Sequence, residues 1–391
     1  MTDAALDRAR TYHAELTDIR RDIHAHPELG MEEFRTAEIV AQKLEEWGIE
    51  VHRGVGVTGV VGVLRNGNGQ ASIGLRADMD ALPVLEINDV PYASKTPGRM
   101  HACGHDGHTT MLLGAAKYLA ETRNFNGTVN FIFQPAEDGV GGALAMLKDG
   151  LFERFPCKTI YGMHNRPGMP LGQFGLGSGT RSAGGAFFDI TITGKGAHGA
   201  RPEESIDPVL VACHIGTTLQ SIVSRNISPN DTGVLSITRI VSGDAYNVIP
   251  QTATMAGTVR TMKRDTMTRI EQNMRRMVES VAAGFGAEAT VDFRLIFAPM
   301  VATEDEATFM GDVAAELVGE AKVRRDAPAG MGSEDFSFML EQVPGAHIGI
   351  GNGPSAALHN HLYNFNDETI PFGVALWAKI AERKLPKGTE D

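Results

Sequence analysis

The 391-residue chain has only three cysteines, Cys103, Cys157 and Cys213. They are too few and too far apart for a disulfide framework, and their odd number leaves at least one thiol free. This pattern favours a reducing compartment. The start of the sequence also lacks a basic region followed by an apolar core, so we see no signal peptide and expect a cytoplasmic protein.

Positive charge is also scarce. The chain carries 48 acidic and 36 basic residues, which gives a formal net charge of −12 at pH 7. Nucleic acid and anionic membrane surfaces are therefore not expected as partners, because no basic excess is available to neutralise phosphates. No apolar run reaches the roughly 20 residues that cross a bilayer. The 42% of hydrophobic residues can still form a sizeable core, and the length suggests two or three domains.

The most informative segment is residues 101–108, which contain three histidines, a cysteine and an acid. It lies directly before the helical apolar spacing of residues 107–121. Cys103 and His105 are two positions apart, so in an extended segment their side chains point the same way. Thiolate, imidazole and carboxylate together suit zinc or a neighbouring transition metal. The alternative for this segment is a buried thiol beside a histidine at a helix start.

Further acidic and imidazole side chains come directly after predicted strands. The strands with the residues that follow them are 72–77 with Asp78 and Asp80, 129–133 with Glu137 and Asp138, and 159–163 with His164. Strands that alternate with helices predict a doubly wound, mostly parallel α/β sheet. Loops at the carboxyl ends of such strands converge on one crevice, so we expect these side chains to meet there. Taken singly, each has an ordinary alternative, such as a turn residue or a helix cap.

The pattern changes near residue 180. The elements that follow are a half-solvated strand near 188–192, a helix at 208–223, strands at 233–241 and 253–260, a helix at 265–283 and a strand at 288–294. This β-α-β-β-α-β order is that of a ferredoxin-like α+β unit. We therefore predict an inserted domain at 183–295 and a catalytic domain made of 1–182 and 296–391.

Nearly the whole chain resembles the M20 metallopeptidase superfamily, in the amidohydrolase branch that includes hippurate hydrolases, N-acyl-amino-acid deacylases and indoleacetyl-amino-acid hydrolases. The stretches that carry the resemblance are 20–28, 76–83, 100–108, 133–138, 162–165, 194–200, 247–250, 257–261, 332–336, 358–359 and 365–368. Together they are highly specific, although any one alone would be weak. The resemblance implies that the inserted domain is a lid and dimerisation domain.

The resemblance also implies two divalent metal ions per subunit, with Zn, Mn, Co and Ni as candidates. The ligands that it implies are Cys103, which both ions share, together with His105, Asp138, His164 and His359. Asp138 departs from the branch, in which a glutamate is common at this position, so metal spacing or preference can differ. His361 stands where relatives often have proline, and it competes with His359 as a ligand.

Other roles follow from the same resemblance. Glu137 matches the general base that takes a proton from the attacking water, and Asp80 matches an aspartate that positions the metal site. His198 matches a lid histidine that reaches the partner's site in the dimer and polarises the substrate carbonyl. The residues implied near the substrate carboxylate are Asn247, Arg260 and Gly332.

These observations together predict a metal-dependent amidohydrolase of N-acyl-L-amino acids with acetyl, benzoyl or indoleacetyl groups. We expect a small-molecule substrate and a homodimer, with a tetramer as the second possibility. Three alternatives stay open: a dipeptidase of the same superfamily, a cysteine hydrolase with Cys103 as nucleophile, and a non-catalytic metal-binding protein. A zinc nucleobase deaminase is not favoured, since no Pro-Cys-x-x-Cys element is present. His24 and His26 imitate a metal pair, but their place before Pro27 predicts a structural role.

Overall fold

The computed structural model describes residues 3–139 and 141–387. Its α-helices are α1 (Ala4–Thr11), α2 (His13–Ala25), α3 (Phe34–Glu46), α4 (His105–Thr122), α5 (Gly142–Lys148), α6 (Leu151–Arg154), α7 (Pro208–Ser221), α8 (Arg264–Gly284), α9 (Glu304–Val318), α10 (Phe336–Leu340) and α11 (Ile370–Lys384). Within those two ranges, no helix combines the length and the apolar character that a membrane span requires.

The strands of the described residues are mostly short. They are β1 (Glu50–Val55), β2 (Gly59–Asn66), β3 (Ser72–Asp78), β4 (Gly127–Gln134), β5 (Thr159–Arg166), β6 (Phe174–Gly175), β7 (Gly179–Ser182), β8 (Gly184–Thr193), β9 (Ala197–His198), β10 (Gly233–Ser242), β11 (Val248–Ile249), β12 (Thr252–Thr261), β13 (Glu288–Phe297), β14 (Met300–Ala302), β15 (Val323–Arg324) and β16 (Gly345–Gly351).

The chain forms two compact units. The first contains the chain up to Arg181, Val301–Pro328 and the chain from Asp335 onward. The second contains Ser182–Met300 and Ala329–Glu334. The short segment Ala329–Glu334 therefore packs with the second unit, whereas the sequence predicts it in the catalytic domain.

The first unit is built on an eight-stranded sheet with the order β1-β2-β4-β3-β5-β16-β6-β15. Strand β3 pairs in parallel with β4 and β5, and β5 pairs in parallel with β16. These central strands are buried along almost their whole length, as is typical of a sheet that helices cover on both faces. The predicted mostly parallel α/β sheet is thus confirmed.

Two antiparallel strands extend this sheet at one side. Strand β2 pairs with β1 and with β4, so the turn at 66–69 does not join neighbouring strands. Strand β4 lies between β2 and β3, because it also pairs in parallel with β3. The sequence does not reveal β1, since its mostly exposed edge position removes the apolar alternation that marks a strand.

Helix α4 carries the histidine-rich segment and is buried along 105–116. It packs against α2 and α11. Gly114 permits this close approach, because an added Cβ would lie 2.5 Å from Val374 Cγ2 and 2.7 Å from Leu16 Cδ1. The tight packing of α4 fixes the place of its first residue, His105.

The second unit is a four-stranded antiparallel sheet with the order β10-β12-β8-β13, packed against α7 and α8. Along β8, Phe188, Ile190 and Ile192 are buried while the residues between them are exposed. This order of strands and helices confirms the predicted ferredoxin-like unit.

Candidate metal centre

The parallel strands bring the candidate residues to one edge of the first unit's sheet. Asp78 ends β3 and lies in register with Gln134, which ends β4. His164 lies near the carboxyl end of β5, and β5 is parallel to β3. Residues that follow neighbouring parallel strands lie at the same sheet edge. The loops that carry Asp80 and Glu137 therefore leave the sheet at this edge.

The five residues predicted as metal ligands gather around Cys103. Donor atoms of Cys103, His105 and His164 lie within 4.8 Å of one another, and so do those of Cys103, Asp138 and His359. The Cys103 Sγ is 3.3 Å from His164 Nε2, and His359 Nε2 is 3.6 Å from Asp138 Oδ1. Cys103 belongs to both groups, which is the placement expected of a shared ligand.

Two of the histidines are held with one nitrogen on a backbone acceptor. His105 Nδ1 donates to the Asp80 backbone oxygen at 2.9 Å, and His164 Nδ1 donates to the Asn165 backbone oxygen at 2.8 Å. The proton on Nδ1 leaves the lone pair on Nε2. In both residues Nε2 is the nitrogen that faces the cluster, as metal-binding histidines require.

The donor set fits a divalent metal. His105 is fully buried, and its Nε2 has no hydrogen-bond partner among the described residues. Burial alone would lower the pKa of His105, but the nearby Asp78 and Asp80 carboxylates raise it well above its usual value. A cation at Nε2 would replace the proton that this environment favours. Thiolate, imidazole and carboxylate donors suit zinc and the neighbouring transition metals, and a bound cation itself favours the thiolate.

Asp80 connects two of the candidate ligands. Its Oδ1 lies 3.1 Å from His105 Nδ1, and its Oδ2 accepts a hydrogen bond from the Asp138 backbone N–H at 3.0 Å. The Asp80 side chain is almost fully buried. It therefore orients both residues without belonging to either group around Cys103.

Glu137 lies beside the cluster but outside both groups around Cys103. Only 4% of Glu137 is exposed, and its Oε2 is 4.0 Å from His105 Nε2. This separation is longer than a hydrogen bond and leaves the carboxylate beside the candidate metal position. A buried acid next to a ligand set, rather than within it, has the place of a general base.

The environment of Cys103 does not favour a nucleophilic thiolate. Burial raises the pKa of the Cys103 thiol to about 12. Burial also lowers the pKa of His164, its 3.3 Å neighbour, well below the usual value. Reactive cysteines need a lowered pKa, so these two directions do not favour a thiolate–imidazolium couple.

The other histidines that the sequence raised as candidates differ in burial and in their contacts. His361 is exposed and belongs to none of the metal-ligand groups found among the described residues, whereas His359 does. His24 is buried between Asp106, at 2.8 Å, and Glu86, at 3.1 Å. Although burial alone would lower the pKa of His24, these two acids raise it to about 9. These contacts give His24 the structural place that its position before Pro27 predicts.

The sequence did not single out His108 and Asn165, which connect Asp78 to the Cys103 backbone through hydrogen bonds. His108 Nδ1 donates to Asp78 Oδ1 at 2.6 Å, and its Nε2 accepts from the Asn165 backbone N–H at 2.9 Å. The Asn165 side chain in turn donates to the Cys103 backbone oxygen at 2.7 Å. The signal that could have identified His108 is its position three residues after His105 on a buried helix.

The predicted substrate-binding residues and His198 lie in the second unit. His198 is exposed in β9, which pairs with β11, and the preceding Asn247 accepts a backbone hydrogen bond from Gly199. Arg260 Nη1 donates to Ser333 Oγ, next to Gly332. Within this unit, His198 and Asn247 therefore form one group, and Arg260 and Gly332 form another. Their roles toward substrate stay predictions.

Comparisons with known proteins agree with this arrangement. The model of peptidase family M20/M25/M40 matches residues 74–383. A hippurate hydrolase of Campylobacter jejuni is 44% identical over 95% of this chain and 97% of its own length. An N-acetylcysteine deacetylase of Bacillus subtilis is 37% identical over 95% of this chain and 97% of its own length. A crystal structure described as a dinuclear metal-binding peptidase of the M20 family, also from Bacillus subtilis, has a TM-score of 0.84 and 34% identity, covering 96% of this chain and 99% of that one.

Fold and site together define a hydrolase of the metallopeptidase type, in which an α/β domain gathers metal donors at one sheet edge. The chain belongs to peptidase family M20/M25/M40. The relatives cover almost its whole length, so the membership includes the sequence of both units. Use of a divalent metal follows from the family and from the donor groups around Cys103.

Proposed function

We propose that the protein is a metal-dependent amidohydrolase that cleaves the amide bond of N-acyl-L-amino acids. The observation that carries this proposal is the gathering of five metal donors around Cys103 beside the buried acid Glu137. A closed structural metal site has no need for a spare acid, whereas hydrolysis needs a proton acceptor. The spare acid therefore favours the hydrolase over a non-catalytic metal-binding protein.

The proposed metal ligands are Cys103, His105, Asp138, His164 and His359. We propose two divalent ions per subunit, with Cys103 shared, because Cys103 belongs to both donor groups. Zn, Mn, Co and Ni are the candidates. Such ions, when bound, supply Lewis acidity that polarises a carbonyl oxygen and acidifies water.

Glu137 is the proposed general base. Its carboxylate would take a proton from the water whose oxygen attacks the amide carbon. The same proton would then pass to the nitrogen as the carbon–nitrogen bond breaks, which yields a carboxylate and a free amine. The near-complete burial of Glu137 limits competition from bulk water for this proton. Asp80 is proposed to hold His105 and Asp138 in place for this step.

The inserted domain at 183–295 is proposed as the lid. His198 would polarise the substrate carbonyl. Asn247, which accepts a backbone hydrogen bond from Gly199 beside His198, would lie near the substrate carboxylate. Arg260 and Gly332 would bind the substrate carboxylate, since a guanidinium pairs well with a carboxylate. Lid closure would exclude water from the reacting groups.

The substrate class is supported by the chemistry of two relatives. One is named for hippurate and the other for N-acetylcysteine, and both compounds are N-acyl amino acids with a free carboxylate. Acetyl, benzoyl and indoleacetyl substrates are therefore the first panel to assay, with dipeptides as the alternative. The readout is release of free amine by the metal-loaded enzyme.

The decisive test is the substitution Glu137→Gln, which preserves the size of the side chain but removes its basicity. We expect metal content to stay at the parent level and kcat to fall by about 10²- to 10⁴-fold. Glu153→Gln, at an exposed acid on α6, is the matched control and should leave kcat unchanged. Hydrolysis by Glu137→Gln at the parent rate would show that Glu137 is not the base.

A homodimer is proposed because His198 is expected to act in the site of the partner subunit. Mixing His198→Ala protein with Glu137→Gln protein tests this directly. In mixed dimers, one of the two sites would combine an intact Glu137 with an intact His198 from the other subunit. Activity should therefore return to about a quarter of the parent value after random subunit exchange. No recovery, in a mixture shown to contain mixed dimers, would refute the role of His198 across subunits.

A further inference from the structure

Glu33 is a buried acid that the proposed mechanism does not use. It immediately precedes helix α3 and is fully buried. Acids at helix starts usually cap the first turn, but the Glu33 side chain makes no capping hydrogen bond to its own helix. Burial raises the pKa of Glu33 to about 7, so its carboxylate is costly to keep at this position.

The Glu33 carboxylate instead contacts the loop that carries Glu137. Its Oε1 accepts a hydrogen bond from the Ala136 backbone N–H at 2.8 Å, across 103 positions of sequence. Its Oε2 accepts from Thr58 Oγ1 at 2.5 Å. Ala136 directly precedes Glu137, and on the other side the Asp138 N–H donates to Asp80 Oδ2 at 3.0 Å. Glu137 thus lies between two backbone amides, each bonded to a buried carboxylate.

Backbone strain concentrates at the same contacts. Among the described residues, the non-glycine residues with positive φ are Met31 (67°), Val57 (87°), Arg123 (47°), Ala136 (50°) and His359 (64°). Ala136 is bonded to Glu33, Val57 precedes Thr58, and Met31 is two residues before Glu33. Such conformations persist only where surrounding contacts determine them, and they cluster at functional sites.

We infer that Glu33 is a positioning residue for Glu137, acting through the Ala136 amide and anchored by Thr58. The inference rests on the proposed function, since it gives Glu33 a role only if Glu137 is the base. Removal of the Glu33 carboxylate would free Ala136 to leave its left-handed conformation. The Glu137 side chain would then rotate or shift from the position in which it accepts the proton.

The test compares Glu33→Ala with Glu33→Gln. We expect Glu33→Ala to lower kcat by about 10- to 100-fold, because a displacement of about 1 Å at a reacting group can cost this much. KM should change less than about twofold and metal content should stay at the parent level, since no ligand is altered. Glu33→Gln should restore most of kcat, because its oxygen can accept from Ala136 and its amide can donate to Thr58.

Two further variants separate positioning from general structure. Glu28 bonds the Arg35 and Thr36 amides at the start of the same helix α3, at 2.9 and 2.8 Å. Glu28→Ala should therefore loosen α3 without lowering kcat. Thr58→Val removes only the anchoring hydroxyl and should lower kcat by a few fold. It also serves as the test if Glu33→Ala does not fold.

A double-mutant cycle identifies the residue through which Glu33 acts. In a Glu137→Gln background, Glu33→Ala should cause less than about a further twofold loss, because the group that it positions is already inactive. Three results would refute the role of Glu33 while leaving the proposed function intact. They are a double variant whose loss of kcat is the product of the two single losses, a parent-like kcat for Glu33→Ala, and a kcat for Glu33→Gln no higher than that of Glu33→Ala. A parent-like rate for Glu137→Gln would overturn the proposed function and this inference together.

Discussion

Substitution of Asp80 tests whether the cluster around Cys103 is a metal site held in place by its neighbours. The Asp80 carboxylate accepts two hydrogen bonds, from His105 Nδ1–H at 3.1 Å and from the Asp138 N–H at 3.0 Å. Asp80→Ala removes both bonds, but the Asp80 backbone oxygen still accepts from His105 Nδ1. The His105 tautomer therefore survives, and the loss comes from the poorer orientation of two ligands.

The contacts of Asp80 indicate how strongly its substitution should weaken metal binding. Loss of a carboxylate that orients metal ligands weakens metal binding by about 10- to 100-fold, or roughly 1.4–2.8 kcal/mol. We expect Asp80→Ala near the lower limit, because the backbone bond to His105 is retained. Asp80→Asn should lie near the upper limit, since its amide can accept from only one partner and must turn its NH₂ toward the other donor.

The measurement is the metal dissociation constant of each variant, determined by competition with a chelating indicator. Asp22→Ala is the control for loss of one negative charge, because Asp22 is partly exposed and pairs with Arg35 away from the cluster. Parent-like affinity in Asp80→Ala would refute the reasoning. If Asp22→Ala weakened metal binding equally, the effect would come from the overall charge of the protein and not from the orientation of ligands.

Three further predictions concern metal content, packing and pH. Cys103→Ser should lower the metal content per subunit, and full occupancy in elemental analysis would refute its role as a ligand. Gly114→Ala should destabilise the fold by about 1–3 kcal/mol through overpacking. Gly216→Ala, where the nearest atom to an added Cβ is 3.5 Å away, should instead stabilise α7 by about 0.5–1 kcal/mol in denaturant titrations. Because the folded-state pKa of His24 is raised from 6.5 to about 9, its charged form should stabilise the protein by roughly 3 kcal/mol below pH 6.5. This stability should disappear as the pH rises through 9, and a His24→Gln variant that keeps the same pH dependence of unfolding would contradict it.

Strand ends carry positional information, so the sequence was sufficient to predict that several candidate site residues meet at one sheet edge, whereas the ligand set itself was implied by the resemblance to the M20 superfamily. His164 and the acids after β3 and β4 follow buried strands whose apolar runs are easy to recognise. Parallel pairing then places the following residues at one edge, whatever the details of the loops. The alternation of Phe188, Ile190 and Ile192 with polar residues identified β8, whose buried and exposed side chains alternate along the strand.

Contacts that depend on loop conformation could not be predicted. The bond from Ala136 to Glu33 needs a left-handed alanine, which sequence patterns do not indicate. The pairing of β2 with β4 depends on the path of the chain through α4, so the turn at 66–69 between β2 and β3 does not indicate which strand β2 pairs with. The resemblance favoured His359 over His361. In the structure His359 has a φ of 64° and belongs to a donor group with Cys103 and Asp138, whereas His361 belongs to none among the described residues.

The backbone, more than the surrounding side chains, determines which nitrogen His105 and His164 offer to a metal. His105 and His164 both donate Nδ1–H to a backbone oxygen, so no single side-chain substitution can remove that acceptor. Changes around the cluster should therefore alter ligand orientation and metal affinity by degrees, rather than invert a tautomer. A shift in the path of the chain at Asp80 or Asn165 would remove the acceptor itself. Metal binding should consequently be more sensitive to insertions in the 78–80 or 164–166 segments than to substitution of any one acid beside them.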